Sequence, residues 1–246
     1  MHFMKKTAIG ATAVAAVLFS QGSMALQAGD NIVYVGGAYL SPSSSIGTLT
    51  STGTCAAVPC VAPPGINFNQ ATAGATAKVQ SASTFIVTAF HMFTDNIGAE
   101  LTVGVPVKMK VDMTVPVLAT SVTSAAQTKA SFPSLVVKYL FNKPTDAFRP
   151  YVGLGINYLY FSGTSVSSSP VVQALAGSSQ SLSSSWNPVF NAGGIYSLND
   201  RWSVNVGISY VPMKTNATFV GALATTTTGK LTINPTDVTV KLGYKF

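Results

Sequence analysis

Charge is what this chain has least of. Asp, Glu, Lys and Arg make up 9% of its 246 residues, where a soluble domain carries roughly 25%. Long apolar runs are missing as well: past residue 25 no stretch of 18 apolar residues occurs, which leaves no helical membrane span. Cysteine is limited to Cys55 and Cys60, and past residue 25 the one histidine is His91. These shortages disfavour an ordinary soluble domain, a helical membrane protein and a site built on His and Cys ligands. What remains is a positive mean hydropathy in a chain rich in Gly, Ser, Thr and aromatics, the composition of alternating strands.

The alternation is clearest in the last segment, Thr236 to Phe246. Val238, Val240, Leu242, Tyr244 and Phe246 alternate with Asp237, Thr239, Lys241, Gly243 and Lys245. A strand sends successive side chains to opposite faces, so this one has an apolar and a polar face. It suits either a soluble edge strand or a strand whose apolar face meets lipid and whose aromatic end sits at the membrane interface. The rest of the chain repeats the pattern. Strands are predicted over Asn31–Leu40, Lys78–Thr94, Ile97–Val111, Lys129–Asn142, Phe148–Ser162, Ser184–Ser197, Arg201–Thr215 and Lys230–Phe246. Connections alternate between long Ser/Thr-rich loops and short turns that carry the acids Asp95, Asp146 and Asp200. Eight antiparallel strands so connected describe an all-β transmembrane β-barrel with short periplasmic turns and long extracellular loops. Closure removes the sheet edges that lipid could not solvate.

The N-terminus reads as an export signal. Lys5 and Lys6 precede the apolar stretch Ala8 to Phe19, and Ser23-Met24-Ala25 places small residues where a signal peptidase cuts. The expected organisation is residues 1–25 as a cleaved signal peptide and 26–246 as the barrel. In an exported chain Cys55 and Cys60, flanking Ala-Ala-Val-Pro, are expected to form a small disulfide. Export also removes nucleic acid from the list of partners.

Several segments resemble the OmpW family of small outer-membrane proteins. These are Thr94-Asp95-Asn96-Ile97-Gly98-Ala99-Glu100-Leu101, Phe148-Arg149-Pro150-Tyr151-Val152-Gly153-Leu154-Gly155-Ile156-Asn157-Tyr158, Phe132-Pro133, Ser185-Trp186 and Gly243-Tyr244-Lys245-Phe246. The resemblance implies an eight-stranded barrel in the outer membrane of a Gram-negative bacterium, passing small apolar molecules and releasing them sideways into the membrane; some family members are linked to alkane uptake. It also implies an apolar channel neck, at positions matching Thr102, which is polar here, and Trp186. Strict alternation from Phe190 and Tyr196 aims Trp186 at lipid instead, unless a bulge turns it inward. Tyr244 and Phe246 resemble the signal by which such barrels are inserted, which makes the barrel assembly machinery an expected partner.

The residues themselves add further expectations. Ile86, Phe90 and Val136 give the upper lumen apolar surface, and Ile86 and Phe90 join the neck. Glu100, Lys138 and Lys241 face inward near the short-turn end, where a buried charge persists only if paired or wetted; they are the expected polar plug of a periplasmic floor. Charged rings, which ion-selective pores use, are absent from the pattern, which argues for a neutral or hydrophobic ligand; a small hydrophobic molecule is the expected partner. Pro106, having no N–H to give a neighbouring strand, marks a candidate lateral exit. Lys78, Lys108, Lys110, Lys129, Lys214 and Lys230 fall at the loop-side ends of strands, an outer lysine rim suited to lipopolysaccharide phosphates. His91 lies beside Met92 and Phe93 with only Asp95 near, so no enzyme, cofactor or metal site is expected. A structural or adhesive barrel acting through its loops is the rival to a channel.

Overall fold

The first and last strands meet. In the computed structural model, β1 (Asn31–Ile46) runs antiparallel to the final strand, with Val35 opposite Leu242 and Tyr39 opposite Val238. The structure describes residues 26–46, 50–52, 76–115, 119–170, 172–173, 177–221 and 226–246; the expected signal peptide and Cys55 and Cys60 lie outside them. In chain order β1 is followed by β2 (Thr50–Thr52), β3 (Thr76–Val79), β4 (Ala82–Met92), β5 (Ile97–Gly104), β6 (Val107–Val115), β7 (Thr120–Ser131) and β8 (Ser134–Leu140). Then come β9 (Phe148–Val166), β10 (Ser179–Leu182), β11 (Ser185–Ser197), β12 (Trp202–Tyr210), β13 (Met213–Val220) and β14 (Thr226–Lys245). Pairs separated by two residues, such as β3 with β4 or β12 with β13, are halves of one barrel strand. Eight strands result, each antiparallel to its neighbours, and β14 pairs with both β1 and β12, so the sheet closes on itself.

Period-two alternation decides what faces where. Val35, Leu101, Val137, Leu154, Ile208 and Val240 point outward, and Leu154 is 64% exposed. So continuous an apolar outer wall is intelligible only if its solvent is lipid. Aromatics bound the wall at both ends. Tyr139 stacks edge-on with Phe141, and Trp202 with Tyr244, each at 5.1 Å, on the short-turn side. On β9, Phe148 and Tyr160 mark the two girdles; twelve residues at about 3.3 Å each, tilted near 40°, span roughly 30 Å, the thickness of a bilayer core.

Two apolar clusters line the inside. The lower one joins Leu26, Ile32, Tyr34, Phe90, Met92, Leu140, Tyr151 and Ile195. The upper one includes Leu40, Ile86, Val107, Val136, Leu159 and Val189. Strict alternation places Val107 outside and Lys108 inside, and the structure reverses both: Val107 is buried and Lys108 exposed. The cause is the break at Val105-Pro106, where the proline interrupts the strand and shifts its phase by one residue.

Candidate functional site: the barrel lumen

Glu100 stands between two lysines. Its Oε2 accepts from Lys138 Nζ at 2.6 Å and its Oε1 lies 2.8 Å from Lys241 Nζ, all three side chains being buried. The residues come from β5, β8 and β14, on opposite arcs of the barrel. Glycines make the approach possible. Gly36 pairs with Lys241 in register, and a Cβ there would stand 2.1 Å from the Val240 carbonyl oxygen. Gly153 pairs with Lys138, and its Cβ would press on the lysine stem at 3.1 Å. Aromatic faces complete the cage: Lys138 Nζ sits 4.1 Å from the Tyr151 ring centre and Lys241 Nζ 5.5 Å from that of Tyr34. Cations over aromatic faces gain electrostatically where water is excluded.

A hydrogen-bonded layer surrounds the ions. Thr102 Oγ1 reaches Glu100 Oε1 at 3.5 Å and Thr88 Oγ1 at 3.0 Å. The Tyr151 hydroxyl donates to Asn205 Oδ1 at 2.9 Å, and Ser203 Oγ donates to the Tyr34 hydroxyl at 3.3 Å. Sequence reasoning missed Tyr34, Tyr151 and Asn205 as site residues. Their inward parity was available, since Tyr151 alternates with outward Val152 and Leu154, and Asn205 with Val204 and Val206. Read as aromatic, however, a tyrosine in a barrel strand suggests the girdle.

Beneath the ions lies a second buried junction. Arg149 is 1% exposed and donates to carbonyls of three separate segments: Leu26 (2.7 Å), Asp95 (2.6 Å) and Phe141 (3.1 Å), with longer contacts to Leu140 and Asn142. Leu26 is equally buried and belongs to the lower cluster, its N–H donating to the Pro144 carbonyl. The Ala28 N–H donates to Asp95 Oδ1, and Asp30 pairs with Lys245 at 3.2 Å. Five donors on a planar guanidinium suit such a junction. In the sequence Arg149 was legible only as part of a motif.

The neck residues separate. Ile86 lies in the upper cluster, together with Val136. Phe90 does not belong with them: it lies in the lower cluster, opposite Glu100 in register and 5.9 Å from Lys138 Nζ. Thr102 faces inward but is polar and committed to Thr88 and Glu100. Trp186 is 68% exposed on the outer wall, 4.7 Å from the Tyr158 ring, so the expectation that it lines the neck is corrected. No bulge intervenes, because Trp186 keeps register with Tyr158 and alternates with buried Asn187; it is an interface-girdle tryptophan.

Around Pro106 the wall loses its ladder. Toward β4, pairing ends near Phe85 and Val105, where the Val105 N–H donates to the Phe85 carbonyl, and resumes where the Gln80 N–H reaches the Lys110 carbonyl. The four residues 81–84 thus face 106–109 without ladder hydrogen bonds, although the register is the same on both sides of the gap. A groove of about 590 Å³ lies there, lined by Ser83, Thr84, Phe85, Val105, Pro106 and Lys108 among others. On the other side, register stops at Thr102–Ser134 and resumes at Val107–Ala130. Lys78, Lys108, Lys110, Lys129, Lys214 and Lys230 are all exposed, and Lys108 and Lys129 stand opposite each other across the β6–β7 seam.

Comparison with known proteins agrees with this architecture. A profile of the OmpW family matches residues 47–246. The chain belongs to the OmpW family. Among OmpW-family relatives, Outer membrane protein W of Vibrio cholerae serotype O1 is 33% identical over 244 residues, covering 99% of this chain and all of the relative. Outer membrane protein AlkL of Ectopseudomonas oleovorans is 27% identical over 161 residues, 63% of each chain. The crystal structure of the outer membrane protein OprG from Pseudomonas aeruginosa superposes with a TM-score of 0.76 at 27% identity, covering 91% of this chain and 99% of that one. This OmpW-family chain is therefore a barrel of the Gram-negative outer membrane.

Proposed function

We propose that the barrel takes up small hydrophobic molecules passively from outside, that its periplasmic floor is closed, and that the ligand leaves sideways into the membrane near Pro106. The observation that carries this reading is the interrupted ladder around Pro106, set in the wall of a lumen whose lower end is filled by the Glu100–Lys138–Lys241 cluster and by Leu26 with Arg149. A ligand that cannot pass the floor needs another way out, and a stretch of wall without ladder hydrogen bonds is where strands part at least cost. Ile86 and Val136 supply apolar lumen surface above the ions. The outer lysine rim is the proposed contact for lipopolysaccharide phosphates, and the C-terminal strand ending in Tyr244 and Phe246 the proposed contact for the assembly machinery. Cleavage after Ala25 and the Cys55–Cys60 disulfide belong to the same proposal.

The test is transport with the exit locked. Cysteines replacing Pro106 and Thr84, which extended register sets opposite each other, are cross-linked in whole cells supplied with a labelled alkane. Uptake above that of a strain lacking the protein is expected to vanish on cross-linking and to return on reduction. Undiminished uptake in the cross-linked barrel rules the lateral exit out. Equal uptake with and without the protein favours the adhesive or structural alternative.

A further inference from the structure

Two ammonium groups share one carboxylate in the lower lumen. Both Glu100 oxygens are taken, Oε2 by Lys138 and Oε1 by Lys241 and Thr102. Each ammonium has three N–H donors, and Lys241 is the less enclosed of the two, its aromatic neighbour standing farther off than that of Lys138. Across the β12–β14 seam Asn205 pairs with Lys241 in register, so their Cβ atoms stand roughly 5 Å apart on the inner face. Asn205 is fully buried, its Oδ1 accepts from Tyr151, and its Nδ2 has no hydrogen-bond partner. A surplus positive charge and an unpartnered amide donor therefore stand side by side.

No nearby acid other than Glu100 forms an ion pair with Lys241. Asp237, the other acid on the inner face of β14, is four residues away opposite Ser209 and acts on Lys241 only through space. Asp30, below, is paired with Lys245. A buried donor calls for an acceptor, and a buried surplus charge calls for a counter-charge of the same size.

We propose that Lys241 and Asn205 form a subsite for one carboxylate, and that the ligand carrying it is a hydrophobic carboxylic acid whose chain lies along the apolar cluster above. This rests on the uptake reading and names a ligand class for it. A neutral hydrocarbon leaves Asn205 Nδ2 and the surplus charge unanswered; a doubly charged phosphate overshoots the single charge available. The monocarboxylate answers both, and its chain finds Ile86, Val136, Leu159 and Val189 higher in the same lumen.

The experiment uses the full processed barrel in zwitterionic phospholipid vesicles, with carboxyl-labelled decanoate as probe and protein-free vesicles as background. Saturable decanoate binding is expected, weakened about tenfold or more by Asn205→Leu, which removes one hydrogen bond to a charged group. Lys241→Met is expected to abolish it, with heat-modifiable gel mobility checking that the variant is folded. Decanol is expected to bind without dependence on Asn205, and acetate to displace decanoate only at far higher concentration. Decanoate binding unaltered by Asn205→Leu overturns the subsite. Acetate displacing decanoate at equal concentration overturns it too, marking a plain small-anion site. Alkane uptake by the wild type is read in parallel. If alkane passes while decanoate ignores Asn205, the subsite alone falls. If alkane does not pass while decanoate depends on Asn205, the uptake reading falls and the subsite stands.

Discussion

The ion cluster sets the energetics of single residues in this barrel. Lys138 and Lys241 are held in the lumen by Glu100 and by aromatic faces, and each pays a desolvation penalty that only the carboxylate offsets. Glu100→Gln keeps the shape but leaves two ammonium groups with no anion between them. Removing one member of a buried pair costs about 3–5 kcal/mol, so the variant is expected to lose its heat-modifiable form at markedly lower temperature or urea concentration than the wild type. Adding Lys138→Met and Lys241→Met to Glu100→Gln is expected to recover much of that stability, because no buried charge is then left. A triple variant as unstable as the single one contradicts the electrostatic account and assigns the cost to packing. The plug reading makes a separate demand: ion conductance through the barrel is expected to rise in the variant combining Glu100→Ala with Lys138→Ala, and unchanged conductance counts against a closed gate at this level.

At the scale of strands, closure depends on how near β1 and β14 can come. Gly36 sits where any Cβ would collide with the Val240 carbonyl, whereas a Cβ on neighbouring Gly37 would find its nearest atom, the Thr84 carbonyl oxygen, at 3.9 Å. Gly36→Ala is expected to prevent proper closure, lowering the yield of folded, heat-modifiable barrel at least severalfold, while Gly37→Ala folds like the wild type. Equal folding of the two variants refutes the close-approach argument. The same scale shows what alternation could and could not reveal. Eight strands, their order and the outward set from Val238 to Phe246 were legible because one face meets lipid along the whole strand. Phase was not legible past a break. Pro106 was recognisable as a weak point, but the one-residue shift it causes, which buries Val107 and turns Lys108 out, leaves no mark in a period-two pattern. Glu100, Lys138 and Lys241 were readable as charges on a polar face, which alternation alone identifies. The roles of Tyr34, Tyr151, Asn205 and Arg149 were not, because they depend on which residues meet across a closed lumen, and that is fixed by register between strands far apart in sequence.

Taken whole, the molecule sorts its few charges by height. Five of the seven acids lie at the short turns, the N-terminal segment and the lower lumen, with Asp237 higher on β14 and Asp112 opposite Lys78. The lipid-facing wall is neutral, and Lys78, Lys108, Lys110, Lys129, Lys214 and Lys230 stand exposed at the loop-side ends of the strands. Lys108 and Lys129 face each other across one seam with Lys110 two residues along, an arrangement of like charges that is unfavourable unless anions lie between them. In the proposed contact with lipopolysaccharide, its phosphates supply the missing charge. Each basic residue near an anionic membrane surface contributes about 1 kcal/mol, so replacing Lys108, Lys110 and Lys129 by Gln is expected to remove on the order of 3 kcal/mol of stabilisation gained from lipopolysaccharide. In zwitterionic lipid the same variant loses only a repulsion, so it is expected to be as stable as the wild type or slightly more so. The measurement is the difference in unfolding midpoint between lipopolysaccharide-containing and zwitterionic vesicles, for both proteins, at low and high salt. A wild-type difference that shrinks with salt and is absent from the variant supports the rim as a phosphate contact. A difference of the same size in both proteins means that the lysines only keep the rim wet.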